Sequence, residues 1–432
     1  MNFDEALQYL LSLGHETLAM KLGLRNTELL LEALESPHKS YESIQIAGTN
    51  GKGSTAVMLD SICRAAGIRT GLYTSPHLIS ITERIKVGGT EISNDDFAQL
   101  ATKVRNIAET LVDKGELEAL PTFFEHVTVI ALMAFKNAGV ELAILETGLG
   151  GRLDSTTVAG AGTVAITPIA MDHEEYLGHT ITGIAAEKAA IIRPGVRVII
   201  GAQTSEALRV ILNRSSEVGV IADMAEPRMV IEHATNDGRY VVTLTTTHDE
   251  YMNLAIGLRG QHQIENASLA VRVAESIDKR RFAITKTAIY EGIKDARYSG
   301  RLELIEGTPA LLLDGAHNPA GAQALRRYLD AHVDGPITLI FGAMKEKNID
   351  QIAKFLFPKA AQLIVTAPMN PRAAPLAQVE QFARDHLADN QIYFATSVKK
   401  ALAKAKEITP PEGLICVTGS LYLVGEVKAD QS

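Results

Sequence analysis

The chain has 432 residues, which at about 150 per domain suggests two or three domains. Its 46% hydrophobic and 22% charged content is that of an ordinary water-soluble protein able to bury large cores. The formal net charge of −9 argues against nucleic acid as the main partner, because a phosphate backbone demands a cationic face; small anionic substrates stay open, since they need only a local cationic site.

The two cysteines, Cys63 and Cys416, lie far apart and have no metal-ligand spacing, so both are expected to be core thiols. The start, Met1-Asn2-Phe3-Asp4-Glu5, lacks a basic run before an apolar one, and no stretch approaches the roughly 18 apolar residues a membrane span needs. A reducing cytoplasmic setting, with no membrane partner, is the expectation.

In chain order, residues 3–13 and 26–35 read as short amphipathic helices joined through Met20-Lys21-Leu22-Gly23-Leu24-Arg25. Ile44, Ile46 and Ala47 then form a strand leading into Gly48-Thr49-Asn50-Gly51-Lys52-Gly53-Ser54-Thr55 and a helical pattern. Strand, glycine-rich turn and helix are what a phosphate-binding loop requires. Glycines let backbone N–H groups crowd an anion, the helix N-terminus adds positive potential, Lys52 adds a point charge, and Ser54 or Thr55 can offer a hydroxyl to Mg²⁺. The spacing departs from the standard signature: Gly48 and Gly51 are closer than usual, and Gly53 follows Lys52.

Gly67 is a C-cap signal, Ile68–Thr74 a strand ending at Ser75-Pro76-His77, and Gly88-Gly89 the turn of a hairpin over residues 83–92. Ser93 caps a helix to about Asp113. A helix over 123–138 stops at Gly139, and the strand 140–145 ends in Glu146, where a nucleotide enzyme places a Mg²⁺ ligand. The strand 163–167 leads to Asp172-His173, a histidine that by itself would more often be a hydrogen-bonded structural residue than a ligand. A helix over 181–192 carries Glu187-Lys188; on pattern alone Lys188 would snorkel to water. Arg228–Ile231 and Tyr240–Thr247 flank Asn236-Asp237-Gly238 as a β-hairpin insertion, and His262 to Asn266 open the next helix. A second β/α series begins near residues 296–301, with strands at 311–314, 337–342, 363–366 and 414–419.

These elements predict an α/β fold. Residues 1–298 form a P-loop NTPase-like domain with a mainly parallel sheet and a small β-hairpin insertion; residues 299–432 form a smaller, Rossmann-like α/β domain. The chemical residues Gly48, Ser75, Glu146, His173 and Asp314 fall at strand ends, where open α/β sheets bind ligands.

The ordered set Gly48–Ser54, Thr74-Ser-Pro-His77, Glu146–Asp154, Asp172-His173, Glu187-Lys188, Gly300-Arg-Leu-Glu303, Asp314–Pro319, Phe341–Met344 and Val417–Gly425 resembles the folylpolyglutamate synthase/dihydrofolate synthase family, which belongs with the Mur ligases. The match runs over nearly the whole chain. It implies a monomeric ATP-dependent amide ligase of folate biosynthesis and one-carbon metabolism. A pterin-bearing carboxylate takes the γ-phosphoryl group of ATP, and L-glutamate attacks the acyl phosphate.

The resemblance implies that Asn50, Gly51, Lys52, Gly53 and Ser54 hold the ATP phosphates. Ser75, Glu146 and His173 would ligate Mg²⁺, although nitrogen is an unusual donor for that cation. Lys188 matches a family lysine that is carbamylated and helps hold a second Mg²⁺. Asn266, Arg301 and Asp314 match further nucleotide contacts, the last two completing the site on domain closure, and His317 is expected to face the cleft. Lys52, Lys188 and His317 are the catalytic candidates. Leu22, Gly23, Leu24, Thr122, Phe123, Phe124, Glu125, Arg152, Leu153 and Asp154 match the pterin side. Departures there (Lys21 where some members are acidic, no residue between Leu24 and Arg25, Thr157 in place of Asn) leave open which of the two activities operates. The alternatives are a peptidoglycan Mur ligase, for which residues 1–47 leave little room for a UDP-sugar domain, and a nucleotide-dependent switch, which gives no reason for Lys188 or Asp314.

Overall fold

The computed structural model describes residues 1–14, 23–223, 228–277 and 279–431. The expected contacts at Lys21 and Leu22 lie outside the described residues. The chain forms two compact units. The first comprises Met1–Ile169, Ile184–Glu226 and Ser268–Gly292; the second comprises Ala170–Gly183, Pro227–Ala267 and Ile293–Ser432.

The first unit holds an eight-stranded sheet of β1 (Glu42–Ala47), β2 (Thr70–Tyr73), β3 (Ile85–Val87), β4 (Thr90–Glu91), β5 (Leu142–Glu146), β6 (Thr163–Ile166), β7 (Arg197–Ile200) and β8 (Ala222–Asp223), in the order β4-β3-β2-β5-β1-β6-β7-β8. Pairing is parallel except at the β3 and β4 edge. β1 is central and, after Glu42, buried throughout, as its apolar run requires of a strand covered on both faces. The helix Phe123–Asn137 packs on this sheet and is buried almost all round from Glu125 to Phe135. Thr122 and Glu125 close its N-terminus as a reciprocal capping box, and Gly139 ends it at φ 64°.

The second unit contains two sheets. One is a three-stranded antiparallel sheet of β9 (Arg228–Ala234), β10 (Tyr240–Thr245) and β11 (Glu250–Ala255), in the order β11-β10-β9. The predicted hairpin therefore gains a third strand. Its turn, Thr246 to Asp249, has no glycine and is closed by Thr246 N donating to Asp249 O (2.8 Å), so the sequence carries no hairpin signal there. The other sheet joins β12 (Glu303–Ile305), β13 (Ala310–Leu313), β14 (Ile337–Phe341), β15 (Gln362–Val365), β16 (Ile392–Phe394) and β17 (Leu414–Thr418), in the order β12-β13-β17-β14-β15-β16. Only β12 is antiparallel. Cys63 and Cys416 are buried free thiols, one in each unit. Among the described residues, no helix is long and apolar enough to cross a membrane.

His126, fully buried in the helix Phe123–Asn137, meets the Tyr9 hydroxyl at Nε2 (3.1 Å) and the Thr122 carbonyl at Nδ1 (3.1 Å). Burial pushes its pKa down to about 4, outweighing the backbone hydrogen bonds that favour the cation. The unfolded chain, with a His pKa of about 6.5, binds more protons between those values, so this residue's contribution to stability falls as pH drops from about 6.5 toward 4. Lowering pH from 7 to 4.5 is expected to cost about 2–3 kcal/mol through His126, and urea unfolding of His126→Asn should show a correspondingly shallower pH dependence over that interval.

Candidate active site

The phosphate loop leaves β1 at Gly48, whose φ is +149°; a β-carbon there would lie 1.8 Å from Thr167 Oγ1, so only glycine fits. Thr49 and Asn50 donate their backbone N–H groups to Pro168 O (3.0 and 3.2 Å). Gln203 fixes that partner segment, donating to Thr167 O (2.9 Å) and accepting from Ile169 N (3.1 Å). The loop is thus tied to the extension of β6. The amides from Gly51 onward are those placed at the start of the helix Lys52–Ala65. Gly51 caps that helix at φ 87° without a side-chain cap. Lys52 Nζ donates to Thr49 O (3.3 Å), so the ammonium is folded over its own loop. The Thr55 hydroxyl is fully buried and makes no hydrogen bond.

β5 pairs with β1 so that Glu146 stands opposite Ile46, two residues before Gly48. Glu146 is buried, and its Oε2 accepts from Ser75 N (3.1 Å), the loop that follows β2. Two of the expected metal ligands therefore meet beside the phosphate loop. The Ser75 loop is braced by Arg84, whose buried guanidinium donates from Nε to His77 Nδ1 (2.8 Å) and lies 5.3 Å from the Phe123 ring centroid. Glu83 accepts from the N–H groups of Leu78, Ile79 and Ser80 (2.7–2.8 Å). Neither Arg84 nor Glu83 was marked by a motif.

A serine hydroxyl and a carboxylate are hard oxygen donors, which suit Mg²⁺. Among the described residues, no group of three or more His, Cys, Asp or Glu side chains is arranged to hold a metal. His173 belongs to the second unit, whereas Ser75, Glu146 and Lys188 belong to the first.

Lys188 is only 5% exposed, so the expected snorkelling does not occur. Gly151 explains part of this: a β-carbon there would come within 2.9 Å of Glu187 O and 3.1 Å of Lys188 O, so the Gly148–Asp154 loop lies directly on the helix end. Arg152 clasps the same helix, donating from its amide to Glu187 O and from Nε to Glu187 Oε1 (both 3.0 Å). Asp154 is buried, which pushes its pKa up; it accepts from Leu149 N, Thr156 N and Thr156 Oγ1 at 2.6–3.0 Å, and these bonds oppose the rise. Phe124 fills the space beside Gly148, where a β-carbon would lie 2.5 Å from its ring. Thr122 to Glu125 and Gly148 to Asp154 are thereby drawn together. Gly23 and Leu24 lead into the helix Arg25–Ala33, and Leu153 lies half-buried in the loop.

In the second unit, Asp314 follows β13 with both carboxylate oxygens engaged: Leu302 N donates to Oδ2 (2.9 Å) and Ala316 N to Oδ1 (3.0 Å). Burial raises its pKa, against the pull of Arg301. Leu302 sits at φ 44°, a left-handed conformation that costs a non-glycine residue about 1–3 kcal/mol and tends to cluster at functional sites. Arg301, beside it, donates weakly to Gly315 O (3.5 Å). Asn266 donates to Gln263 Oε1 (2.8 Å), and the adjacent His262 is neutral, its pKa pushed down to about 4 by burial and then by Arg301.

The densest polar cluster centres on Asp172. Lys347 Nζ donates to its Oδ1 (2.6 Å), Asn318 Nδ2 to Oδ2 (3.0 Å), and His173 N to Oδ1 (2.9 Å); His317 Nε2 lies 3.6 Å from Oδ2. His317 Nδ1 contacts Gly315 O at 2.8 Å. Burial pushes the Asp172 pKa up, but His317, Lys347 and His173 together hold it well below the usual carboxylate range. His317 was expected at the site; Lys347 was not. It stands in the charged run Lys345-Glu346-Lys347, which reads as a solvated loop, yet its side chain is 8% exposed.

The Mur ligase middle domain matches residues 46–274, and the Mur ligase glutamate ligase domain matches residues 300–421. The dihydrofolate synthase/folylpolyglutamate synthase of Bacillus subtilis is 32% identical over 426 residues, covering 96% of each chain. The chain belongs to the folylpolyglutamate synthase/dihydrofolate synthase family of Mur ligases. It also spans about half the length of two haloarchaeal relatives. One, a probable bifunctional folylpolyglutamate synthase/dihydropteroate synthase of Halobacterium salinarum, is 34% identical over 99% of this chain and 51% of its own. The other, of Haloferax volcanii and with the same name, is 33% identical over 99% and 50%. A Mycobacterium tuberculosis folylpolyglutamate synthase complexed with ADP superposes at a TM-score of 0.92, with 29% identity over 99% of this chain and 97% of its own. A bifunctional folylpolyglutamate synthase/dihydrofolate synthase with Mn, AMPPNP and L-glutamate bound superposes at 0.85, with 28% identity over 100% and 98%.

Removing one partner of a buried ion pair strands the other's charge, at a cost of about 3–5 kcal/mol. Asp172→Asn is expected to destabilise the protein by that order in urea unfolding at pH 7, with Lys347 left unpaired. The Asp172 pKa is depressed on folding, so its stabilisation is present above about 4, the unfolded value, and is lost as pH falls below it. Below about pH 4 the wild type should therefore lose stability more steeply than Asp172→Asn does.

Proposed function

We propose that this protein is an ATP-dependent amide ligase that joins the amine of L-glutamate to dihydropteroate, to the glutamate tail of a reduced folate, or to both. The observation that carries the reading is the register of β5 on β1, which sets the buried Glu146 beside the phosphate loop with Ser75 against it. The names of relatives that align along nearly their whole length support this over a peptidoglycan ligase or a nucleotide switch. So do related structures named with ADP, or with Mn, AMPPNP and L-glutamate. The same reading has the enzyme at work in the cytoplasm as a monomer, with residues 1–298 and 299–432 as its two domains.

In the first step a carboxylate oxygen of the pterin substrate attacks the γ-phosphorus of ATP, and ADP leaves. In the second the neutral amine of L-glutamate attacks the acyl carbon, phosphate leaves, and the nitrogen gives up a proton as the amide forms. The first step brings two anions together, so fixed positive charge is the main need. Lys52 and the amides at the start of its helix, with Asn50, Gly51, Gly53 and Ser54, supply that charge at the phosphates. Ser75 and Glu146 would hold Mg²⁺, which, when bound, neutralises charge between the phosphates. His173 and a carbamate on Lys188 are proposed as additional ligands; a bicarbonate-grown crystal with an unmodified Lys188 would remove the second of these. Asn266, Arg301 and Asp314 are proposed nucleotide contacts of the second unit. His317 and the Asp172 cluster are proposed to orient the incoming amino acid, since the second step depends on positioning more than on a strong base. Gly23, Leu24, Thr122, Phe123, Phe124, Glu125, Arg152, Leu153 and Asp154 would shape the pterin side.

Parallel assays with dihydropteroate and tetrahydrofolate, each with ATP, Mg²⁺ and L-glutamate, are expected to give glutamate-dependent ADP release and a glutamylated product with at least one acceptor. No product with either would end this reading. Lys52→Ala should lower turnover by about 100- to 1,000-fold, the size of losing one preorganised charge contact, with the thermal midpoint little changed.

A further inference from the structure

The turn Ser299–Glu303 is held from two sides. On one side, Asp314 Oδ2 accepts the N–H of the strained Leu302 (2.9 Å). On the other, Glu303 Oε2 accepts the N–H of Gly300 (2.8 Å), and Glu303 Oε1 receives Lys428 Nζ at 2.5 Å. Lys428 also donates to Ser299 Oγ (3.0 Å), so one ammonium gathers both ends of the turn. It reaches there from the last helix, Leu421–Ala429, more than 120 residues along the chain. Leu421 of the same helix leaves no room for a β-carbon at Gly315, the residue whose carbonyl Arg301 contacts and whose amide donates to Gly300 O (2.9 Å). The Lys428 and Glu303 side chains are only 24% and 25% exposed, so the pair is partly shielded from water.

A turn with a left-handed leucine persists only where its surroundings over-determine it. Arg301 is the central residue of this turn, and its own hydrogen bond, at 3.5 Å, is too weak to fix it. We propose that Lys428 and Glu303 are positioning residues for nucleotide binding: their ion pair holds the turn that aims Arg301. The inference rests on the reading of Arg301 as a nucleotide contact.

A double-mutant cycle on the full chain tests it, with ADP affinity measured by titration calorimetry. Lys428→Met is expected to weaken ADP about five- to tenfold, the scale of one partly shielded charged contact. Lys428→Arg should bind ADP as the wild type does. In an Arg301→Ala background, Lys428→Met should weaken ADP no further, because its effect passes through Arg301. Thermal midpoints of all variants guard against a folding defect, and the charge-reversed pair Glu303→Lys/Lys428→Glu supplies a second route, expected to recover part of the loss. Equal weakening in both backgrounds, or none in either, would overturn the proposal while leaving Arg301 as a contact. If Arg301→Ala itself bound ADP normally, the Arg301 reading would fall and this inference with it, and Lys52→Ala would still test the ligase reading separately.

Discussion

The carbonyl of Pro168 accepts the N–H groups of Thr49 and Asn50 in the phosphate loop, and the geometry of the first unit's site follows from that commitment. Thr49 and Asn50 cannot turn their amides to an anion while they are bonded there. The loop is thereby pinned to the extension of β6, and Gly48 has to pass Thr167 with no side chain of its own. Because β1 lies between β6 and β5, the same pinning fixes how the loop faces Glu146 on the other neighbour. Gln203 completes the arrangement by holding Thr167 and Ile169 on either side of the proline. A phosphate loop needs rigidity because its N–H groups must be aimed before the anion arrives. Here the rigidity comes from a neighbouring strand rather than from the loop's glycines, which alone would leave it loose.

The second unit solves a different electrostatic problem. Asp172 is nearly buried, and an isolated carboxylate there would take up a proton rather than stay charged. Burial does push in that direction, but His317, Lys347 and His173 reverse it. Replacing such a cluster with apolar groups would often be neutral for stability, so folding alone does not account for it. It joins two motif segments, around residues 172 and 317, through one charged group.

Much of this was legible from residue pattern. Strand ends, the Gly139 stop, the Ser93 cap and the mainly parallel sheet all have local signals: periodicity, glycine at positive φ, and a cap residue before a helical pattern. Glu146 was legible because an apolar strand that ends in a carboxylate is rare without a reason. Lys347 was not, since nothing in a run of Lys, Glu and Lys distinguishes a buried ammonium from a solvated one. Lys188 misled for the complementary reason: its helix looks amphipathic only at the level of composition, and the loop that covers it depends on Gly151, 37 positions earlier. Arg84 is buried by contacts with His77, in the loop before it, and with Phe123 at the start of a later helix. Tertiary burial of a charged group, unlike its chemistry, leaves no periodic trace.

The carboxylates themselves divide by what they hold. Glu125, Asp154 and Asp314 accept backbone N–H groups and so fix a helix start, a loop and a turn. Glu146 likewise accepts a backbone N–H, that of Ser75, whereas Asp172 is met by the side chains of Lys347 and Asn318. The pKa directions separate the two kinds where they are resolved: Asp154 and Asp314 are raised by burial, and Asp172 is lowered despite it. The difference matters for reading substitutions. Loss of a backbone-holding carboxylate releases a segment, and with it every contact that segment aims, whereas loss of Asp172 leaves the segments in place and removes the charge between them. For Arg301 the first case applies: Asp314 fixes the N–H of the next residue, Leu302, besides attracting the guanidinium itself.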